Sequence, residues 1–407
     1  MRRGAMRVKR LQFKNDKTSK KTSEKSSNEA LSGAPVKWGP RSSQIADMGG
    51  DEQRGFIQNL TGIEAPEAWS DQAVNIVVRQ YLRKNLPDGS RETSIKALLE
   101  RVVGSIRTFA EGELRAFQDA SDSLEFEAQL FDLVVRQKAS FNSPVWFNCG
   151  LWHRYGVVGN SGNWAWDFSQ KRAVPIENAY ARPQASACFI QSLDDDLNSI
   201  FDLVKNEARL FKYGSGSGTN FSNLRSRYEE LSGGGTSSGL MSFLEVFDRA
   251  AGATKSGGTT RRAAKMVCLD LDHPEILEFI RWKAKEEAKA QALIAAGFSG
   301  GMDGEAYRTV SGQNSNNSVR VTDEFMRLCE QDGDWETRER RTGRVVERLK
   351  ARTILRAIAE SAWLCADPGI QYEGAIQAWH TSKSSGAIRA SNPCSEFKFL
   401  EDTACNM

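Results

Sequence analysis

A short segment near the carboxyl end of the 407-residue chain combines three side chains suited to one-electron sulfur chemistry. It reads Asn392-Pro393-Cys394-Ser395-Glu396. In an extended segment, residues two apart point to the same side, so the Asn392 amide, the Cys394 thiol and the Glu396 carboxylate would face one substrate. The thiol can give up a hydrogen atom, the carboxylate can accept a hydroxyl proton, and the amide can hold that hydroxyl. A structural cysteine beside a turn proline is the alternative, and spacing alone favours it.

The other cysteines do not form a recognisable metal or disulfide pattern. The chain has seven cysteines without a repeating spacing, and this odd, irregular set argues against a secreted disulfide framework and against paired zinc ligands. With only three histidines, a histidine-rich metal centre is not expected either, and no metal site is predicted. Four cysteines lie in apolar or helical surroundings and are predicted to be packing residues: Cys149, Cys268, Cys329 and Cys365.

The composition is typical of a globular enzyme that carries a basic leader. Hydrophobic residues make up 40% of the chain, enough for one large domain or for a helical domain followed by part of a larger one. Residues 1–40 hold eleven Lys and Arg against three Asp and Glu, so the total charge of +3 leaves −5 for the remainder. Residues 1–60 are predicted to be a disordered basic leader without a specific nucleic-acid partner.

No long apolar segment suggests a membrane or a secretory route. The sequence has no run of about eighteen apolar residues, and its amino terminus lacks an apolar signal core. We therefore expect a cytoplasmic protein that does not act at a membrane.

Hydrophobic periodicity predicts a helical region followed by an α/β domain. Helical spacing recurs over 72–83, 95–109 and 124–135, which predicts a helical amino-terminal domain over 61–139. Beyond residue 140, short apolar runs alternate with helical segments, as in α/β folds. Strands are predicted at 187–191 and 266–271, and helices at 197–211, 242–251, 274–285 and 353–364.

Five segments, in order along the chain, resemble adenosylcobalamin-dependent (class II) ribonucleotide reductases. They are NSPVWFN (142–148), ACFI (187–190), LFKYGSGSGTNFS (210–222), KSGGTTRR (255–262) and NPCSE (392–396). The resemblance implies that residues 140–407 form the first part of a ten-stranded α/β barrel, in which two five-stranded half-sheets surround a loop that carries the radical cysteine. Residues 286–307 would be a variable insertion.

The resemblance also implies a reaction and assigns roles to five residues. Cys394 would become a thiyl radical that abstracts the ribose 3′ hydrogen, Glu396 would accept the 3′-hydroxyl proton, and Asn392 would hydrogen-bond the substrate. Cys188 and Cys405 would supply two electrons and become a disulfide. Ribonucleoside diphosphates would thereby become 2′-deoxyribonucleotides, with adenosylcobalamin as the cofactor and thioredoxin or a similar reductant as a partner.

Further residues are implied to bind the substrate or a regulatory nucleotide. A deoxynucleotide effector would contact Asp195, Arg261 and Arg262, with 226–235 and 255–262 as regulatory loops at the interface of a homodimer. Segment 214–218 is expected to be a glycine-rich loop that offers backbone N–H groups. The substrate-binding residues implied are Ser143, Ala187, Cys188, Gly216, Asn392, Pro393, Cys394, Ser395 and Glu396.

Two alternatives remain at this stage. Reductases of this type continue for several hundred residues beyond the radical loop, so we expect the chain to be an amino-terminal portion. It could be part of a reductase that receives its radical from a separate iron or manganese subunit. It could also be a catalytically inactive half that only binds nucleotides.

Overall fold

The computed structural model describes residues 35–46, 57–231, 233–254, 263–301 and 304–405. These residues form two compact units, and the chain passes from the first to the second after Ala185. That point lies later than the predicted boundary at residue 140. The difference arises because the two short helices and the hairpin that follow residue 140 make their contacts with the helical part of the chain.

The first unit combines two strand hairpins and five helices. Strands β1 and β2 are antiparallel and pair Trp38 with Pro66; they reach into the segment that the sequence assigns to the leader. Helices α1 to α3 confirm the three predicted helices. The elements are β1 (Trp38–Ala46), β2 (Ile57–Pro66), α1 (Asp71–Gln80), α2 (Ile95–Gly112), α3 (Ala120–Val135), α4 (Ser143–Asn148), α5 (Leu151–Tyr155), β3 (Asn163–Asp167) and β4 (Arg172–Ile176).

Local sequence explains where the longer helices of this unit begin. Ser70, Ser94 and Asp119 precede α1, α2 and α3, and each side chain accepts a hydrogen bond from a backbone N–H of the first turn. The apolar face of α2, which includes Leu98 and Val102, is then buried in the core of the unit. Capping and an amphipathic pattern were both readable from the sequence, which is why these helices are predicted well.

The second unit alternates strands with helices. Its elements, in chain order, are β5 (Cys188–Gln191), α6 (Leu197–Lys212), β6 (Gly216–Asn220), α7 (Gly239–Ala253), β7 (Lys265–Asp270), α8 (Ile276–Ala295), α9 (Glu305–Thr309), β8 (Asn316–Val321), α10 (Asp323–Gln331), β9 (Asp334–Arg338), β10 (Val345–Lys350), α11 (Ala351–Cys365), β11 (Gly369–Tyr372), α12 (Glu373–Ala378), β12 (Ala390–Ser391), β13 (Lys398–Phe399) and β14 (Thr403–Cys405), with a 3₁₀ turn at Lys383–Ser385.

One six-stranded sheet organises this unit, in the order β11-β8-β7-β6-β5-β14. The first five strands are parallel, and β14 runs antiparallel to β5. This is the five-stranded half-sheet expected for the first part of the barrel. Every residue of β6 is buried, as is usual for parallel strands that are covered on both faces. The main core of the unit contains four fully buried aromatic side chains: Phe221, Phe247, Phe279 and Phe325.

Two expectations for this unit differ from the structure. Only Gly214 and Ser215 of the expected glycine-rich loop precede β6; Gly216 already lies in the strand, where its N–H donates to the Ala187 carbonyl at 2.7 Å. The helix predicted over 274–285 is longer than expected: α8 continues through the alanine-rich residues to Ala295, and Glu286 on it is buried and accepts from the Ser311 N–H. Among the described residues, no helix is both long and apolar enough to cross a bilayer.

Candidate active site

The segment around Cys394 forms a turn between two short strands. Ser391 of β12 pairs with Lys398 of β13, and the Ser395 N–H donates to the Asn392 carbonyl at 3.1 Å. Ser395 takes a left-handed backbone conformation with φ of 65°, which is uncommon for a residue with a side chain. The expected extended arrangement of residues 392–396 is therefore wrong. A turn, rather than strand alternation, brings Asn392 and Glu396 together.

This loop runs directly over β6, and two glycines make room for it. A Cβ atom on Gly218 would lie 1.7 Å from the Ser391 carbonyl oxygen, and one on Gly216 would lie 2.5 Å from Pro393 Cγ. Any side chain at either position would push the loop off the sheet. At the other end of β6, the Asn220 amide donates to the Arg389 carbonyl at 2.9 Å. The loop thus follows β6 from its last residue back to its first.

Asn392 connects the turn to the sheet. Its side chain is fully buried, and its Nδ2 donates both to Glu396 Oε1 and to Cys188 Sγ, the latter at 3.4 Å. Its Oδ1 accepts from the Phe397 N–H at 3.0 Å. All the polar atoms of this amide are therefore engaged, which fixes its orientation. The Asn392 amide, the Glu396 carboxylate and the Cys188 thiol, all expected site residues, belong to one hydrogen-bonded group.

Cys188 and Cys405 are partners in the sheet. They lie opposite each other where β14 pairs with β5, and the Ala187 N–H donates to the Cys405 carbonyl at 3.2 Å. Directly opposite residues of antiparallel strands have Cα atoms about 4.5–5.5 Å apart. That spacing falls within the range that a disulfide requires. Both sulfurs are present as free, buried thiols.

Burial sets the protonation of this pair. It raises the pKa of Cys188 to about 11, against the hydrogen bond from Asn392, while Glu396, Cys394 and Cys405 raise it further. Burial and the charge of Glu396 also raise the pKa of Cys405. Both residues are therefore neutral thiols near pH 7 and hold the hydrogens that a two-electron reduction would consume. The side chain of Cys394 is exposed at the turn.

Contacts from other elements hold the backbone of the turn. Asn316 at the start of β8 donates to the Pro393 carbonyl at 2.8 Å, and Lys398 Nζ donates to the Ser395 carbonyl. Gln371 of β11 donates to the hydroxyls of Ser391 and Ser395 at 2.8 and 3.2 Å. The sequence did not indicate Asn316, Gln371 or Lys398, because nothing in their spacing marks them. Gly218 could have been found, since Gly-Ser-Gly in a strand signals close backbone approach.

The remaining predicted residues are not members of this hydrogen-bonded group or lie outside the described residues. Ser143 belongs to the first unit, where its hydroxyl lies 3.1 Å from the Tyr81 hydroxyl. Asp195 follows β5, and its Oδ2 accepts from Arg225 Nε at 2.6 Å. Asp195 also lines a cleft of about 400 Å³ in the second unit. Arg261 and Arg262 lie outside the described residues.

Comparisons with known proteins agree with the fold of the second unit. Residues 186–407 match the family model of the ribonucleotide reductase barrel domain, which begins where the second unit begins. The vitamin B12-dependent ribonucleotide reductase of Rhodopirellula baltica is 45% identical over 92% of this chain and 36% of its own length.

Two further relatives carry similar names. The vitamin B12-dependent ribonucleotide reductase of Streptomyces clavuligerus is 45% identical over 85% of this chain and 33% of its own length. The vitamin B12-dependent ribonucleoside-diphosphate reductase of Thermoplasma acidophilum is 35% identical over 55% of this chain and 26% of its own length. The chain thus spans about a third of the length of the Rhodopirellula and Streptomyces relatives. It belongs to the ribonucleotide reductase family, among relatives that are vitamin B12-dependent.

Proposed function

We propose that this chain supplies the thiol chemistry of an adenosylcobalamin-dependent ribonucleoside-diphosphate reductase. One observation carries the proposal: Asn392 hydrogen-bonds both Glu396 and Cys188, while Cys188 lies opposite Cys405 in the sheet. Four side chains suited to the reaction thereby form one group beside the turn that presents Cys394. The diphosphate form of the substrate is supported by the name of the Thermoplasma relative.

The residues would act in sequence on the ribose. The Cys394 thiyl radical takes the 3′ hydrogen atom and becomes a thiol. Glu396 accepts the 3′-hydroxyl proton and passes it to the 2′-hydroxyl, which leaves as water, with Asn392 holding the substrate. Cys188 and Cys405 then give two electrons and two hydrogens and become a disulfide. Return of one hydrogen atom from Cys394 to the 3′ carbon completes the 2′-deoxyribonucleotide and regenerates the thiyl radical.

The exposure of Cys394 fits a radical source that reaches it from outside the sheet. Cys394 lies exposed at the turn, whereas Cys188 and Cys405 are buried, so it is the cysteine of the group open to such a source. When bound, adenosylcobalamin supplies a carbon-centred radical that can oxidise a thiol by one electron. Cys394 is the residue that would face it.

Regulation and re-reduction complete the proposal. The cleft beside Asp195 would take a deoxynucleotide effector, with Arg261 and Arg262 as further contacts and a second copy of the chain as the other wall of the site. Thioredoxin or a similar dithiol would reduce the Cys188–Cys405 disulfide. We expect the binding of a deoxynucleoside triphosphate, measured by equilibrium dialysis, to weaken in Asp195→Ala. Binding should persist in the control Asp202→Ala, which removes an exposed carboxylate of α6.

A single-turnover experiment tests the thiol assignment. The chain, joined to the remaining sequence of its Rhodopirellula relative, is mixed anaerobically with adenosylcobalamin and CDP but no external reductant. We expect about one deoxycytidine diphosphate per chain, together with one Cys188–Cys405 disulfide found by peptide mass spectrometry. Product without that disulfide would contradict the assignment. CTP in place of CDP tests the phosphorylation state, and an added iron or manganese radical subunit tests the alternative radical source.

A further inference from the structure

Gln371 reaches the candidate active site from a distant part of the chain. It lies on β11, the edge strand of the parallel half-sheet, and its side chain is buried. Its Nε2 donates to Ser391 Oγ at 2.8 Å and to Ser395 Oγ at 3.2 Å. Ser391 precedes the turn that carries Cys394, and Ser395 follows Cys394 directly. One amide nitrogen therefore joins the two flanks of the candidate radical cysteine.

The hydrogen bond from Gln371 to Ser395 reaches the residue of the turn with the least favourable backbone conformation. Ser395 has φ of 65°, a conformation that is unfavourable for a residue with a Cβ and persists only where neighbours enforce it. Ser391 is also constrained, since its hydroxyl donates to the Asn392 carbonyl at 3.1 Å. A hydrogen bond to each serine keeps the turn closed, and the closed turn places Asn392 against Cys188.

We infer that Gln371 is a positioning residue for the radical cysteine and for the thiol pair, a role that rests on the proposed function. It acts through Ser391 and Ser395 rather than on the substrate. Its other polar atom, Oε1, is buried and has no hydrogen-bond partner among the described residues. The polar contacts of the side chain, which also include Cys268 Sγ at 3.5 Å, are thus made through Nε2. Removal of the N–H donor should release the turn without breaking a contact of Oε1.

The test measures how well the turn protects the thiols beneath it. Gln371→Met keeps the length of the side chain but removes both donors. Alkylation of each cysteine by iodoacetamide is followed in time by peptide mass spectrometry on the reduced, folded chain. We expect Cys188 to react about tenfold faster in Gln371→Met, because loss of two hydrogen bonds loosens the turn that covers it through Asn392. Adding Ser395→Ala should change this rate little further, since the two residues act as one unit.

Matched controls separate positioning from general loosening. Gln191→Met removes a similar bond, from Gln191 Nε2 to Ser217 Oγ at 2.7 Å, elsewhere on the same sheet and should leave Cys188 unchanged. Cys149 in the first unit and Cys329 in α10 are buried internal references. If Gln371→Met fails to fold, Ser391→Ala combined with Ser395→Ala replaces it with the same expectation.

Two results would overturn the inference. One is an unchanged Cys188 rate in the folded variant. The other is an equal acceleration of Cys188, Cys149 and Cys329, which would mean that Gln371 serves only overall stability. Because alkylation needs neither cofactor nor turnover, the outcome does not depend on whether the proposed reaction occurs.

In the active protein, we further expect Gln371→Met to lower kcat about tenfold with little change in KM.

Discussion

Asn392 is the residue on which the candidate site depends most. Its amide is the donor shared by a carboxylate and a thiol, and its own oxygen is tied to the backbone of Phe397. The sequence places Asn392 and Glu396 within five residues of each other, together with Cys394, whereas Cys188, the thiol that Asn392 contacts, was proposed from the family resemblance. It could not predict that a turn joins them, since that depends on Ser395 adopting a left-handed conformation held by Gln371 and Lys398.

The thiol chemistry of Cys188 gives a prediction at this scale. Burial raises its pKa to about 11, so little of the reactive thiolate is present near neutral pH. As the pH rises towards that pKa, the thiolate fraction increases about tenfold per pH unit. We expect iodoacetamide alkylation of Cys188 to rise steadily from about pH 7.5 to pH 9.5 without levelling off. In denaturant the same peptide should level off near the ordinary thiol pKa. A plateau near pH 9 in the folded chain would show that Cys188 is not buried as described.

Strand β6 is the element that lets the loop before Cys394 pack closely against the sheet. Gly216 and Gly218 lie on the face that the loop crosses, and the close approach of Ser391 leaves no space for a Cβ. A glycine-rich motif could be recognised from the sequence, but we interpreted it as a loop that offers backbone N–H groups. The strand assignment depends on partners in β5 and β7, which are distant in sequence and leave no local signal.

Gly218→Ala tests this account of β6. The added methyl group would collide with the Ser391 carbonyl, so the loop must move or the strand must distort. We expect the free energy of unfolding to fall by about 1–3 kcal/mol, as in other overpacked sites, and Cys188 to lose its protection from alkylation. Gly233→Ala is the matched control, because a Cβ there meets nothing within 4 Å. Equal stability of the two variants, measured by urea unfolding, would count against a loop pressed onto β6.

The connection between β7 and α8 contains a buried histidine that should make the free energy of unfolding depend on pH. His273 is fully buried, its Nε2 lies 2.9 Å from the Leu224 carbonyl oxygen, and its Nδ1 accepts from the Glu275 N–H. Burial lowers its pKa to about 4, opposed by the bond to Leu224, with Arg340, Asp272 and Glu229 as nearby charges. The neutral ring is therefore the form that stabilises the folded chain.

The sign of the pH effect follows from that lowered pKa. Above about pH 6.5 the ring is neutral in both states; as pH falls towards 4, the unfolded chain binds a proton that the folded chain does not, so stability is lost. We expect about 2 kcal/mol of this loss between pH 7 and pH 5, measured by urea unfolding. His273→Gln should unfold with a smaller pH dependence over that range. An identical dependence in the variant would assign the effect to other groups.

For the whole molecule, the sequence predicted the order of the helices and strands better than the residues at which the domains begin and end. Helices with capping residues and a clear apolar face were predicted within a few residues, as α1 and α2 illustrate. The five-stranded half-sheet came from the family resemblance, because parallel strands as short as β5 and β11 carry little periodic signal of their own. The limits proposed for the domains depend on tertiary contacts, which explains why the two units divide at Ala185 instead.

The most direct test of the central claim is anaerobic reduction of CDP with adenosylcobalamin and dithiothreitol. The chain is joined to the remaining two thirds of its Rhodopirellula baltica relative and compared with the same protein carrying Cys394→Ser or, as a control, Cys365→Ser in α11. Deoxycytidine diphosphate is measured by chromatography, and circular dichroism confirms folding. We predict product from the parent protein and from Cys365→Ser, and none from Cys394→Ser. Product from folded Cys394→Ser, or none from a folded parent that binds adenosylcobalamin, would contradict the assignment of Cys394 as the radical residue.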